Sequence, residues 1–242
     1  MPKHSRIDKS LNRSVGKALH SYDMISEGDR LLVGFSGGKD SQALMWILKD
    51  RLSRMPFKYK IFALYVDSGF KNDYSENLDK YCREMEYDLR IEHTDYGILG
   101  HSSQNRENPC FLCSLLRRKR FFEIADELGC NKLALGHTKD DIIETLFLNM
   151  WYSGKMSTMN PVQPLFNGKI TIIRPLAFVD EELIKKFVKE KKIPDFINTC
   201  PSANNSKRHE IKLFLKQLFK SNKKIKNNIF SAIKHMDQKH IL

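Results

Sequence analysis

The chain predicts an α/β fold, a doubly wound parallel sheet with helical additions at its N- and C-terminal ends. Three observations predict it. Apolar runs such as Leu31-Leu32-Val33 and Ile61-Phe62-Ala63-Leu64-Tyr65-Val66 recur with helical stretches between them. The runs are continuous rather than alternating, as expected of strands covered on both faces. The first run ends in a glycine pair that opens directly onto a helix, the geometry that aims backbone N–H groups and a helix dipole at an anion.

Taken in order, residues 2–26 read as a basic, mostly helical segment. Ile7, Leu11, Val15, Ala18, Leu19 and Tyr22 recur at helical spacing and form one apolar face, with Lys3, Arg6, Lys9, Arg13 and Lys17 largely off it. Glu27-Gly28-Asp29 turns into the first strand, and a helix opens at Ser41. Met55-Pro56 breaks the chain before the second strand, which ends at Asp67-Ser68-Gly69. A helix is expected over 74–85, a short strand over 89–94 and a loop of Gly, Ser, Asn and Gln over 95–109. The helix expected over 115–128 meets Gly129, a natural C-terminal stop. The fourth strand spans 132–136, its helix 140–152, and 153–168 reads as a second loop. A fifth strand over 169–174 closes at Pro175, and Asp180 precedes the helix expected over 181–191. Beyond Cys200 no strand follows, only two basic helices over 207–219 and 223–235. The expected organisation is thus an N-terminal segment 1–26, an α/β domain 27–192 and a C-terminal segment 193–242.

Length and charge bound the function. The chain has 242 residues, enough for one large domain with additions. Lys and Arg number 41 against 29 Asp and Glu, for a formal charge of +12. That excess favours a polyanionic partner, with nucleic acid the first candidate. No apolar run is long enough to span a bilayer and no signal-type core follows the basic start, so a soluble cytoplasmic protein is expected, with no membrane partner. Five cysteines are then thiols, catalytic groups or metal ligands. A homodimer is compatible with the sequence.

The chemistry-bearing residues fall in four groups. Ser36-Gly37-Gly38-Lys39-Asp40-Ser41 follows the first strand. Gly37 and Gly38 let the backbone approach a phosphate, Ser36 and Ser41 add hydroxyls, and Lys39 adds a point charge. The spacing is neither that of a Walker loop nor that of a dinucleotide fingerprint. Gly136-His137-Thr138-Lys139-Asp140-Asp141 follows the fourth strand. Its adjacent carboxylates suit Mg²⁺ shared with substrate phosphates, Asp141 as ligand and Asp140 as helix cap, while His137 orients a phosphate or fills the turn. Because ligands in such sheets sit at the carboxyl ends of strands, these loops and Asp67 are expected on one rim. Cys110-Phe111-Leu112-Cys113 opens a helix, and Cys200 is the candidate third thiolate. A lone CxxC is open to redox, zinc or cluster readings; three thiolates make a poor closed zinc site but a cluster site with one iron left open. Cys82 and Cys130 read as buried small hydrophobes. Arg117-Arg118-Lys119-Arg120 follows on the same helix, and Arg117 and Arg118 are the candidate RNA contacts.

SGGKDS after a strand is the signature of the PP-loop family, which binds ATP and cleaves it between the α and β phosphates. With CFLCSLLRR, LALGHTKDDIIETLFLNMWYSGKM, IIRPLAF and the Cys200 to Arg208 spacing, the chain resembles the TtcA-type tRNA 2-thiocytidine synthetases, the tRNA-cytidine 2-sulfurtransferases, from about residue 31 to 208. The resemblance implies the adenine nucleotide alpha hydrolase-like variant of the Rossmann-like fold. It implies ATP, Mg²⁺ and a [4Fe–4S] cluster on Cys110, Cys113 and Cys200. It implies 2-thiolation of cytidine 32 in the tRNA anticodon loop through an adenylated base, with sulfur from a cysteine desulfurase. The catalytic set would be Lys39, Asp40, Asp141 and the three cysteines, and Ser36, Gly37, Gly38, Ser41, Asp67, Gly136 and His137 would join in holding the nucleotide and Mg²⁺. Two chain-specific features stand out: Ile197 where the family often has a further Cys, and Lys119 where it tends to have Gly. The rival readings are another PP-loop tRNA modifier, thiolating a different base or ligating lysidine, and a non-catalytic nucleotide- and RNA-binding module.

Overall fold

A computed structural model describes residues 5–71, 74–106, 108–196, 200–202 and 206–235. Ile197 lies outside the described residues. In chain order the elements are α1 (Arg6–Ser21), β1 (Arg30–Gly34), α2 (Lys39–Leu52), β2 (Lys60–Asp67), α3 (Ser75–Glu84), β3 (Leu89–His93), α4 (Tyr96–Gly100) and α5 (Pro109–Glu127). They continue with β4 (Lys132–Ala134), α6 (Lys139–Ser153), β5 (Val162–Leu165), β6 (Ile170–Ile173), α7 (Glu181–Glu190), α8 (Lys207–Ser221) and α9 (Lys223–Lys234). The chain forms two compact units: residues 1–138 with 160–203, and residues 139–159 with 204–242.

The first unit is built on a sheet of order β3-β2-β1-β4-β6-β5. All neighbouring pairs are parallel except β5 with β6. Chain order reverses at β1, which has β2 on one side and β4 on the other. That reversal opens a crevice at the carboxyl ends of β1 and β4, where ligands of such sheets bind. Alternate strand residues feed two cores. Leu31, Val33, Ala63 and Tyr65 join α1, α2 and α7 residues such as Leu11, Ile47 and Phe187. Leu32, Leu64 and Val66 join Phe121 and Ile124 of α5. Each fully buried Leu or Ile stabilises by roughly 1.5–3 kcal/mol, so both faces are strongly covered. Helix α1 is nucleated by a capping box, Ser5 and Asp8 each bonding the other's backbone N–H. The Lys191 ammonium, 2.8 Å from the buried Asp8, ties α1 to the segment after α7.

Two expectations are corrected. The loop expected over 153–168 contains β5, an antiparallel edge strand. It tolerates Pro164 because an edge strand does not need every N–H. The loop expected over 95–109 contains α4, and α5 starts at Pro109 rather than 115. Proline at the first helical position lacks only an N–H that would have no helical partner there.

The second unit packs α6, α8 and α9 around Ile143, Ile211 and Leu215, with Phe147, Phe219 and Phe230 beside them. Among the described residues no helix is long and apolar enough to cross a membrane.

Candidate nucleotide and thiol site

Gly34 ends β1, and the 36–41 loop turns into α2. Gly37 has φ +73°, a left-handed value that a side chain would strain. A Cβ there would also lie 3.0 Å from the Phe196 Cβ and 3.2 Å from the Tyr74 ring. The loop is pinned from outside. Tyr74 Oη donates to the Ser36 carbonyl at 2.8 Å. The buried Gln42 Nε2 donates to the carbonyls of Gly37 and Pro194, at 2.6 and 2.5 Å. Ser41 Oγ donates to the Gly38 carbonyl at 2.9 Å. Gly38 is the N-cap of α2 and provides no side-chain cap, so first-turn N–H groups of the helix remain available to an anion.

Lys39 Nζ lies 2.7 Å from Asp40 Oδ2 and 3.0 Å from Glu181 Oε1 at the start of α7. Burial works against its charge, but the two carboxylates outweigh burial and hold its pKa well above the ordinary lysine range. Glu181 was not among the sequence-predicted residues. Asp67 ends β2, is nearly buried, and accepts from the Gly69 N–H at 2.9 Å. Its other oxygen lies 3.3 Å from His93 Nδ1.

After β4, a Cβ on Gly136 would stand 3.1 Å from the Asp40 carbonyl carbon and 3.2 Å from the Ser41 nitrogen. Only glycine lets the β4 exit close on the first turn of α2, and this sets His137 beside the 36–41 loop. His137 Nδ1 accepts from Arg174 Nε at 3.2 Å, which makes Nε2 the protonated nitrogen of a neutral ring. Arg174, directly after β6, was also missed. The rule that groups strand-end residues on one rim applies to it as well, and is the signal that could have found it.

The thiols sit where α5 begins. Asn108 caps that helix by accepting from the Cys110 N–H at 2.9 Å. Gly100 of α4 faces the Pro109 carbonyl at 2.8 Å and the Cys113 Cβ at 3.5 Å, measured from a Cβ built on the glycine. Burial pushes the Cys110 thiol up, and the thiols of Cys200 and Cys113 push the same way against a Ser202 hydrogen bond. The three cysteines therefore share one neighbourhood, although Cys200 is remote in sequence. His101 holds Ser202 there through Nε2 and Oγ, 2.7 Å apart. Burial, helped by the charge of Asp79, raises Cys82 to about 12, and burial raises Cys130 to about 11 despite Arg30. Both are buried in the cores, Cys82 on α3 and Cys130 in the turn between α5 and β4. Among the described residues no group of three or more His, Cys, Asp or Glu side chains is arranged to hold a single metal ion.

Of the basic run on α5, Arg120 is held by Glu92 at 2.6 Å and Glu123 at 3.0 Å. Arg118 is exposed, and the half-buried Arg117 has its Nε buried without a hydrogen-bond partner among the described residues. Asp140 and Asp141 belong to the second unit, in the first turn of α6. There Asp140 lies 2.7 Å from Lys226 Nζ, and Asp141 lies 3.7 Å from Arg208 Nη1. The first unit thus collects Ser36, Gly37, Gly38, Lys39, Asp40, Ser41, Asp67, Gly136 and His137 on one rim, and the two aspartates lie in the other unit.

A PP-loop domain family model matches residues 7–218. The chain is similar to the tRNA-cytidine(32) 2-sulfurtransferase of Citrifermentans bemidjiense, 34% identical over 96% of this chain and 92% of that one. It is 35% identical to that of Geobacter sulfurreducens, over 97% of this chain and 92% of the relative. It is 36% identical to that of Geotalea daltonii, over 97% and 94%. Among solved structures it resembles in fold the U34-tRNA thiolase NcsA from Methanococcus maripaludis with its [4Fe–4S] cluster. The TM-score is 0.80 at 24% identity, over 98% of this chain and 80% of that one. The NH3-dependent NAD synthetase from Campylobacter jejuni is more distant, with TM-score 0.54 at 15% identity over 98% and 95%.

Proposed function

The chain belongs to the tRNA-cytidine(32) 2-sulfurtransferase family of PP-loop proteins, and from that premise we propose that it uses ATP to replace O2 of cytidine 32 in tRNA by sulfur. The observation that supports the reading is that Cys110, at the start of α5, feels the thiols of both Cys113 and Cys200, in the unit that also carries the 36–41 loop. Helix α5 leads into β4, so it runs against the strands and its first turn lies at their carboxyl ends.

Backbone N–H groups at Gly38 to Ser41 and the Lys39 ammonium hold the ATP phosphates and stabilise charge as pyrophosphate departs. Asp40 and Glu181 aim Lys39. The α-phosphate is attacked by O2 of the base, which turns a poor leaving oxygen into AMP. The target base reaches the rim only out of its stack, which is easiest in a single-stranded loop. Asp141 of the second unit, with 29% of its side chain exposed, is the proposed Mg²⁺ ligand. Asp67 lies on the same rim, where it orders the turn after β2 through the Gly69 N–H.

The donor set fits a cluster: three soft sulfur ligands in one neighbourhood, with the other two cysteines buried elsewhere. Cys110, Cys113 and Cys200 would hold a [4Fe–4S] cluster, which would supply the sulfur-transfer chemistry that replaces O2 of the base. The donor that replenishes sulfide is a cysteine desulfurase, the partner is tRNA, and the setting is cytoplasmic. Arg117 and Arg118 contact the RNA.

Anaerobically reconstituted protein with ATP, Mg²⁺, sulfide and a tRNA transcript should yield 2-thiocytidine at position 32 by nucleoside mass spectrometry. Lys39→Ala should abolish pyrophosphate release. Cys200→Ser should retain adenylation but lose thiolation and iron. Full thiolation by Cys200→Ser would remove the three-thiolate site. Pyrophosphate release with lysidine as product would identify a ligase.

A further inference from the structure

Arg174 has no role in the proposed reaction, yet its surroundings are unusual. It follows β6 at the carboxyl rim and is 6% exposed. Its acceptors are neutral: His137 Nδ1 at 3.2 Å from Nε, and the Asn160 carbonyl at 2.5 Å from Nη1. Among the described residues no carboxylate pairs with it. The charge acting on it is another cation. Burial pushes the Arg174 guanidinium down to about 10, and Arg118 pushes the same way. Arginine nevertheless stays protonated at neutral pH. A buried cation whose charged neighbour is a second cation is costly unless an anion joins them. Arg117, the preceding residue on α5, adds a buried Nε without a partner among the described residues.

We propose that Arg174 and Arg118, with His137 fixing the orientation of Arg174, form a phosphate-binding subsite at the β4–β6 side of the rim. The subsite rests on the tRNA-thiolation reading, because that reading supplies its phosphates. Two features put it in the path of the reaction. Gly136, next to His137, closes on the backbone of Asp40 and Ser41, so the subsite adjoins the nucleotide loop. Arg118 lies five residues after Cys113 on the same helix, a rise of about 7.5 Å. A phosphate held here would sit between nucleotide and thiols. It would be either a phosphate of ATP or a backbone phosphodiester beside the target base, and a guanidinium suits both.

The test uses anaerobic holoprotein carrying Arg174→Gln, Arg174→Lys or Arg118→Ala. KM for ATP is measured at saturating tRNA, Kd for a tRNA transcript without ATP, and Tm for each variant. Arg174→Gln and Arg118→Ala should each raise one of the two constants about tenfold, the loss expected for one charge-assisted hydrogen bond. Arg174→Lys should recover part of that loss. Tm should hold or rise in Arg174→Gln, because an uncompensated buried charge is removed. A rise in ATP KM alone assigns a nucleotide phosphate; a rise in tRNA Kd alone assigns the RNA backbone. If neither constant moves in the two variants, or if only Tm falls in Arg174→Gln, the subsite is wrong and Arg174 merely ties Asn160 to His137. Should Arg174→Gln not fold, Arg118→Ala decides alone, since its side chain is exposed. Failure of wild-type protein to make 2-thiocytidine would sink the parent reading, while the two binding arms would still measure the subsite.

Discussion

Gly37 concentrates the residue-scale argument. Its φ of +73° and the 3.0 Å approach of Phe196 to a built Cβ leave no side chain a relaxed place. Gly37→Ala should therefore cost about 1–3 kcal/mol of stability from backbone strain, with more lost if the 194–196 segment is pushed away. ATP affinity should fall with it, because the displaced backbone is the one that meets the phosphates. Thermal unfolding and nucleotide titration read both effects; unchanged Tm would mean that Phe196 yields and the loop is less constrained than its contacts imply. Gly37, Ser36 and Lys39 were legible in the sequence because their chemistry is carried by residue type and spacing within one loop. Gln42, Glu181 and Arg174 were not. Gln42 is defined by the Pro194 carbonyl, Glu181 by Lys39, and Arg174 by His137 and Asn160. Each is an ordinary polar residue until the fold brings its partner to it. Cys200 lies between these cases: its thiol named it, but only the fold puts it beside Cys110.

At the scale of elements, α5 is the beam that carries the thiols at one end and packs Phe121 and Ile124 into the core. Arg120 ties its middle to β3 through two contacts to Glu92, at 2.6 and 2.9 Å. Burial alone would raise the Glu92 pKa, yet hydrogen bonds from Arg120 and Arg90 outweigh it and lower it. A carboxylate depressed in the folded state stabilises above its unfolded value, about 4.3, and that contribution is lost as pH falls through the depressed value. Arg120→Gln should thus lower stability by about 1 kcal/mol at neutral pH, with the gap to wild type closing below roughly pH 4. A gap that persists in acid would assign the loss to packing of the arginine stem instead of its charge. Strand β5 and helix α4 are the elements that the sequence concealed. Val162-Gln163-Pro164-Leu165 is short, and its proline argues against a strand unless the edge position is known. Tyr96–Gly100 is one glycine-bounded turn and a half, stabilised by packing that only the fold supplies: the Phe70 ring lies 2.5 Å from a Cβ built on Gly97. The long strand–helix alternation was legible because apolar runs and helical periodicity repeat many times, so that one ambiguous turn does not alter the reading.

Across the whole molecule the governing quantity is charge. The formal charge of +12 is spread over every segment, so total charge alone does not say where tRNA binds. Local partners decide what is available. Arg120 is neutralised by Glu92, Glu123 and Glu127, and Lys39 by Asp40 and Glu181. Arg117 and Arg118 have no carboxylate partner among the described residues and follow the thiols on α5, so they are candidates to exchange counterions for phosphate. Each phosphate neutralised should contribute a slope of about −0.7 to −0.9 in log K against log salt, the smaller value for single strands. Wild-type protein making several contacts should therefore lose tRNA affinity steeply between low and physiological salt. Arg118→Ala should weaken binding and make the slope shallower by roughly one contact. Lys58→Ala, at a position outside the site, should change neither by a comparable amount. Filter binding across a salt series, with the tRNA transcript in its folded form, reads affinity and slope together. A steep wild-type slope that Arg118→Ala leaves untouched would move the electrostatic footprint away from α5, and a flat wild-type slope would show that binding is governed by shape and stacking contacts instead of by the excess of lysine and arginine.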